Sequence, residues 1–268
     1  MATIQAARHY NIPYVGAVSP GYFANLNVVD KISTVNVETV FHKGDVVYDA
    51  GKMADFEIPL ADSNIQKSVT ATINIKDLKA DDFQIDIPSG KKIRAIEVIP
   101  NEILTKEKIV EASQVNELIK IAVCERHKNT GHIGLGYLYN TGMNRGAIAS
   151  SYSHDSHNLI TFGKSDEDMA LAANTVKQIG GGICVVVDGE VAYKQELPIA
   201  GALSDKDGQE TARINAELEA CANKLGFKDG INPFMTTSFC SLSVIPELRL
   251  TTLGLVNVNT QEQVDLFV

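Results

Sequence analysis

Two short runs of the sequence concentrate the side chains that move protons or hold small molecules. The denser is Ser153-His154-Asp155-Ser156-His157-Asn158. His154 and His157 can each offer a neutral imidazole to a substrate or a metal, and Asp155 can orient one ring and fix its tautomer. A plainer reading stands beside this one. Asp155, Ser156 and Asn158 can bond the backbone of a turn and leave both histidines in solvent. The second run is Cys124-Glu125-Arg126-His127-Lys128-Asn129-Thr130-Gly131-His132. In an extended chain Glu125 and His127 fall on one face, which suits an acid/base or orienting pair. A solvated, charged turn between strands is the alternative. Cys124 reads as a small buried apolar residue rather than a nucleophile.

Other motifs fall away on their context. His154 and His157 form an HxxH, but without the helix of an HExxH and without an evident third ligand, so no metal ligand is assigned. Gly180-Gly181-Gly182 follows an expected helix and precedes an expected strand, the reverse of a phosphate loop. Gly134-x-Gly136 lacks the third glycine and the following helix of a dinucleotide fingerprint. Neither a GxSxG elbow nor an HxE…PCxxC zinc deaminase pattern is present.

The elements that must position these runs are legible in part. Thr3 is placed to cap a short helix through Arg8. Pro20-Gly21 favours a type II turn, and Leu26 to Val29, Val37 to Phe41 and Val46 to Tyr48 read as short strands. Residues 55–69 show no sustained period and read as a linker. After it, Ala71 to Ile75 and Ile93 to Ile99 alternate with period two, and a strand is expected at Leu118 to Cys124. Apolar strands lead into and out of the histidine-rich run. Ser165 caps a helix carrying Met169, Ala172, Val176 and Ile179 on one stripe, with Gly180 ending it. A second helix after Ser204-Asp205 buries Ile214, Leu218, Cys221 and Leu225 and ends at Gly226. Between the two, Ile183 to Val187, Asp188-Gly189 and Val191 to Tyr193 make a tight hairpin. Met235 to Phe239 reads as core. Hairpins mixed with separate helices give an α+β fold with mixed or antiparallel sheets, while the short strands before residue 55 are too few to close a sheet alone.

The chain has 268 residues, 44% hydrophobic and 21% charged, with net charge −9. That composition supports a core without disulfides, and the sign of the charge disfavours nucleic acid and anionic membranes. Four cysteines without a CxxC pair read as reduced thiols, no run approaches a membrane span, and with Arg8 and His9 where an apolar h-region would stand no signal peptide is expected. Cytoplasm is the expected location.

The ordered matches Glu125-Arg126-His127, Arg145-Gly146-Ala147-Ile148-Ala149-Ser150, His154-Asp155-Ser156-His157-Asn158, Asp166-Glu167-Asp168-Met169-Ala170, Leu197-Pro198-Ile199-Ala200-Gly201 and Asp229 to Phe239 resemble the C-terminal domain of bacterial adenine deaminases. Met1 to Arg8 and Gly16 to Leu26 resemble the end of an amidohydrolase barrel and its return to a small β domain, with Asn25 where the family usually carries Asp. The resemblance divides the chain into 1–54 (barrel end and part of a small β-sandwich domain), 55–69 (linker) and 70–268 (C-terminal α+β domain). It implies adenine as substrate, hydrolysed to hypoxanthine and ammonia in purine salvage, in a homo-oligomer whose N-terminal barrel holds a divalent metal, Mn or Fe. The barrel's HxH has no counterpart here, so this chain is expected to carry no cofactor and to be inactive alone. Under the resemblance, His154, Asp155 and His157 reach the barrel mouth and contact the purine, with Ser153, Asn158, Glu125 and His127 as supporting binding residues. The rival expectation is a structural module that packs on the barrel and builds the oligomer. A self-contained metal-dependent hydrolase is the third.

Overall fold

The computed structural model describes residues 3–55, 57, 59 and 61–268. Met1, Ala2 and three positions of the expected linker (56, 58 and 60) lie outside the described residues. Two compact units form, Met1–Ala61 and Asp62–Val268.

In the first unit a helix, α1 (Ile4–His9), follows Thr3, but the Thr3 side chain makes no cap hydrogen bond, contrary to expectation. The Pro20-Gly21 turn closes as expected: Gly21 has φ +84° and the Tyr22 N–H donates to the Ser19 carbonyl at 3.1 Å. Strands β1 (Leu26–Val29), β2 (Val37–His42), β3 (Asp45–Asp49) and β4 (Lys52–Met53) then pair in sequence order as an antiparallel sheet.

The second unit begins with a helix inside the stretch read as a linker, α2 (Ser63–Val69). The Asp62 side chain caps it, accepting from the Asn64 N–H at 2.8 Å. None of its side chains is buried, so it leaves no apolar period in the sequence. The centre of the unit is an eight-stranded sheet built from β5 (Lys92–Val98), β6 (Thr105–Glu111), β7 (Ile119–Cys124), β8 (Ile133–Tyr139), β9 (Ala147–Ser150), β10 (Leu159–Gly163), β11 (Gly182–Val187) and β12 (Glu190–Glu196). Its order is β12-β11-β9-β10-β7-β8-β5-β6, antiparallel except for the parallel pair β5–β8. Asp188 and Gly189, both at positive φ, turn β11 into β12 as the sequence requires.

Alternation along the strands sorts the core into two layers. Ile119, Ile121, Val123, Ile148, Ile160, Phe162, Ile183 and Val185 face one way. Their neighbours Ala122, Cys124, Ala147, Ala149, Leu159, Cys184 and Val186 face the other. The first face is covered by α4 (Gly208–Ala222) and by a small sheet of β13 (Leu248–Thr251), β14 (Gly254–Asn257) and β15 (Glu262–Val264). The second is covered by α3 (Asp166–Gln178) and by the segment carrying Ile73, Ile75 and Phe83, the last in a 3-10 turn at Ala80–Phe83. Full burial of a side chain such as Phe162 contributes about 1.5–3 kcal/mol. The cysteines divide between the layers, Cys221 and Cys240 in the first and Cys124 and Cys184 in the second.

Both long helices are capped locally. Ser165 Oγ accepts from the Asp168 N–H at 3.1 Å, as expected. The Asp168 carboxylate does not complete a capping box; it accepts from the Gly189 N–H at 3.0 Å and ties α3 to the β11–β12 turn. Helix α4 is capped by Asp207, which accepts from the Glu210 N–H at 2.8 Å, rather than by Ser204-Asp205. The residues Ala71 to Ile75 alternate in burial but form no strand, because the Asn74 N–H donates to the Arg126 carbonyl instead of to a ladder. Gly134 owes its place in β8 to packing: a Cβ there would lie 1.8 Å from the Thr251 carbonyl oxygen, where the small sheet crosses.

Candidate functional site

Sheet order brings the two reactive runs together. Strand β10 pairs with β9 on one side and with β7 on the other, with Leu159 opposite Cys124. The loop from Ser151 to Asn158 and the turn beginning at Glu125 therefore leave the same end of the sheet as neighbours. His127 Nε2 donates to the Ser156 carbonyl at 2.8 Å, and Arg126 Nε donates to the His157 carbonyl.

The loop is closed on itself and pinned at several points. Ser153, fully buried, donates from Oγ to the Asn158 carbonyl at 2.9 Å, and the His157 N–H donates to the Ser153 carbonyl at 2.9 Å. His154 stacks on Phe239 with ring centroids 4.7 Å apart and planes inclined by 15°. Tyr152 meets the same imidazole edge-on at 5.3 Å and lies 6.2 Å from the His157 ring. The His154 N–H donates to Ser238 Oγ at 3.2 Å, and Ser241 Oγ donates to the His154 carbonyl at 3.1 Å.

Phe239 and Ser238 belong to α5 (Met235–Phe239), which the sequence presented as core. Thr237 and Ser238 are indeed buried, whereas Met235 is exposed. The contribution of α5 to the site has one sequence signal, a hydroxyl-rich run of Thr236-Thr237-Ser238 and Ser241 where an apolar core segment would carry aliphatic residues.

Asp155 and Ser156 are exposed at the tip of the loop. No hydrogen bond joins the Asp155 carboxylate to either imidazole among the described residues. Glu125 is fully engaged in its own turn. One oxygen accepts from the N–H groups of His127 and Lys128 at 2.6 and 2.9 Å, the other from Thr130 N–H and Oγ1 at 3.0 Å each. Burial pushes this carboxyl up, but the hydrogen bonds outweigh it and hold it down at about 2. Glu125 thus shapes the turn that presents His127.

Three polar atoms of the loop are buried without a hydrogen-bond partner: His154 Nε2, His157 Nδ1 and Asn158 Oδ1. Such groups are uncommon in a folded chain, and three within five residues mark hydrogen-bonding capacity that the fold does not use. Burial pushes the His157 pKa below its ordinary value, as do the charges of Arg126, His154 and His127; Asp155 alone opposes them. A neutral ring with a free nitrogen can accept or donate one proton. Beside the loop lies a cavity of about 410 Å³ whose lining includes Asp155, Ser156, Asn158, Ser241 and Ser243, a volume suited to a small planar ligand. No group of three His, Cys, Asp or Glu side chains able to hold a metal ion occurs among the described residues. No helix among them is long and apolar enough to cross a membrane.

Residues 1–48 match the amidohydrolase family, so the class is an α+β domain joined to an amidohydrolase-type segment. More narrowly, residues 97–262 match the adenine deaminase C-terminal domain, and the chain belongs to that family. It is similar to adenine deaminase 2 of Carboxydothermus hydrogenoformans, with 39% identity over 269 residues, covering 97% of this chain and 46% of that protein. It is 38% identical to the adenine deaminase of Clostridium acetobutylicum over 269 residues, covering 96% and 46% respectively. With the Bacillus subtilis adenine deaminase it shares 35% identity over 274 residues, covering 99% and 48%. The chain spans about half the length of the curated relatives it matches.

Proposed function

We propose that this chain supplies the C-terminal part of an adenine deaminase, a cytoplasmic enzyme of purine salvage that hydrolyses adenine to hypoxanthine and ammonia. The observation that carries the reading is the 153–158 loop, where two imidazoles each keep a ring nitrogen buried and unpartnered in a domain of this family. Water must add at C6 of the purine and a proton must reach the departing amine. A neutral His157 is suited to carry that proton, while His154, fixed on Phe239, offers an imidazole to the purine ring. Asp155 at the exposed tip and Asn158 beside the cavity are the further contacts, with Ser153, Glu125 and His127 holding the loop in shape.

The amidohydrolase class implies a divalent metal, and for the complete enzyme we assign manganese or iron. The described residues do not fit it, since they offer no group of three ligands, and no step here is routed through it. The metal-holding barrel is then the partner of this chain, within a homo-oligomer.

The test is substitution in the complete enzyme. His154→Ala and His157→Ala each lower kcat/KM by more than about tenfold, the usual scale for a lost proton-transfer group. Turnover near wild type, with melting temperature or assembly altered instead, refutes the catalytic role and favours a purely structural module. For the 268-residue chain alone, with Mn²⁺ or Fe²⁺ supplied, no ammonia is released from adenine. Release proportional to the chain and abolished by a chelator overturns the division of labour.

A further inference from the structure

Arg126 stands out among the buried side chains. It lies two residues beyond the end of β7, is 2% exposed, and carries a guanidinium into the interior of the second unit. A buried cation ordinarily faces a carboxylate. None of the ion pairs among the described residues includes Arg126, and the adjacent Glu125 carboxylate is spent on its own turn.

Its donors go to main-chain oxygens and one hydroxyl, from three stretches far apart in sequence. Nε donates to the His157 carbonyl. Nη1 donates to the Thr72 carbonyl at 3.0 Å and to Thr72 Oγ1 at 2.9 Å. Nη2 donates to the Ala200 carbonyl at 3.0 Å. Space for the group is made by Gly201, where a Cβ would lie 3.0 Å from Nη1 and 3.2 Å from Cζ. A planar fork with five N–H groups in fixed directions can reach all these acceptors at once, whereas an ammonium with three cannot.

We propose that Arg126 is a positioning residue for the 153–158 loop: by tying the His157 carbonyl to the Thr72 and Ala200 segments, it holds the loop in the single conformation that presents His154 and His157. The inference rests on the reading that this loop serves the reaction, and it adds the group that sets the loop's geometry.

Two features of His157 follow from the clamp. Its backbone sits at φ +48°, a region that a non-glycine residue keeps only when its surroundings hold it there. Its ring lies within the field of Arg126, and of the charged groups around it (Arg126, His127, His154 and Asp155) only Asp155 favours the protonated form. The α5 side adds no titratable group, since Met235 to Phe239 contains none. The same guanidinium therefore fixes the carbonyl of His157 and adds to burial, the larger cause, in lowering the pKa of its imidazole.

Two substitutions separate the parts of this role. Arg126→Lys keeps the charge and loses the fork; Arg126→Gln loses both. In the purified 268-residue chain, amide exchange at His157 and Asn158 is expected to quicken by about tenfold or more in both variants, while the β9 and β11 amides stay within about twofold. The His157 titration, followed by NMR, is expected to move to higher pH in Arg126→Gln and to stay low in Arg126→Lys. A purely structural arginine would loosen β9 and β11 along with the loop. Should Arg126→Gln fail to fold, the Arg126→Lys exchange pattern decides alone. Loop exchange within about twofold of wild type in Arg126→Lys overturns the proposal. If both variants loosen the loop but the pH profile of kcat/KM in the complete enzyme does not move, the clamp stands and the catalytic role of the loop falls.

Discussion

Glu125 gives a prediction whose size can be worked from its surroundings. Four donors converge on its carboxylate, and they hold its pKa at about 2 against an ordinary 4.5. The difference corresponds to about 3 kcal/mol at roughly 1.36 kcal/mol per pH unit. Solvent reaches the turn, and screening brings the expected contribution down to about 1–1.5 kcal/mol. The sign follows from the direction: the folded form holds its proton less tightly than the unfolded chain. The stabilisation is thus fully present above pH 4.5 and is lost as pH falls toward 2. The perturbation is Glu125→Gln, which keeps shape and removes charge. Urea unfolding of both proteins between pH 7 and pH 2.5 is the assay. The variant is expected to be less stable by about 1–1.5 kcal/mol at pH 7, and the gap is expected to close steadily below pH 4.5. A gap that stays constant over the whole range would refute the assignment, because it would mean that packing, not charge, accounts for Glu125.

Further outcomes follow from other contacts. Phe239→Leu removes the ring under His154 and is expected to cost about 1 kcal/mol in urea unfolding while shifting the His154 ring signals; unchanged signals would mean the stack is not maintained in solution. Asp207→Ala is expected to destabilise by about 1 kcal/mol and Ser204→Ala by less than about 0.5 kcal/mol, measured by thermal melts; the reverse order would relocate the start of α4. Gly134→Ala drives a Cβ to 1.8 Å from the Thr251 carbonyl oxygen and is expected to cost about 3 kcal/mol. A near-neutral effect there would mean that the small sheet does not sit on β8.

Where a strand or helix buries one face, its period is written in the residues. Ile93 to Ile99, Ile119 to Cys124 and Ile183 to Val187 could be read as strands because neighbours on the two faces meet different layers. Strand β6 has no legible period because it lies at the edge of the sheet, and its Lys106-Glu107-Lys108 run carries no alternation. The segment 71–75 deceived in the opposite direction: it alternates in burial, yet its hydrogen bonds go elsewhere. The candidate site shows the same limit. Both reactive runs were visible as residue types, but their meeting depends on β10 lying between β9 and β7, which is a matter of sheet order. The support from Ser238, Phe239 and Ser241 arrives across more than eighty residues of sequence, and no local pattern announces such a contact.

The division of cysteines between the two layers gives the chain a built-in set of chemical reporters. All four thiols are buried and none is in a disulfide. Burial pushes Cys124 up to about 12 and Cys184 and Cys240 up to about 11, and it raises Cys221 as well. Since the thiolate is the reactive form, an alkylating reagent at neutral pH meets almost no target until a layer opens. Peptide mapping after brief labelling in denaturant then reports on each side of the sheet separately, through Cys124 and Cys184 for the α3 side and Cys221 and Cys240 for the α4 side. Equal labelling at all four positions throughout the transition would describe one cooperative body. Earlier labelling of one pair would show which covering layer lifts from the sheet first.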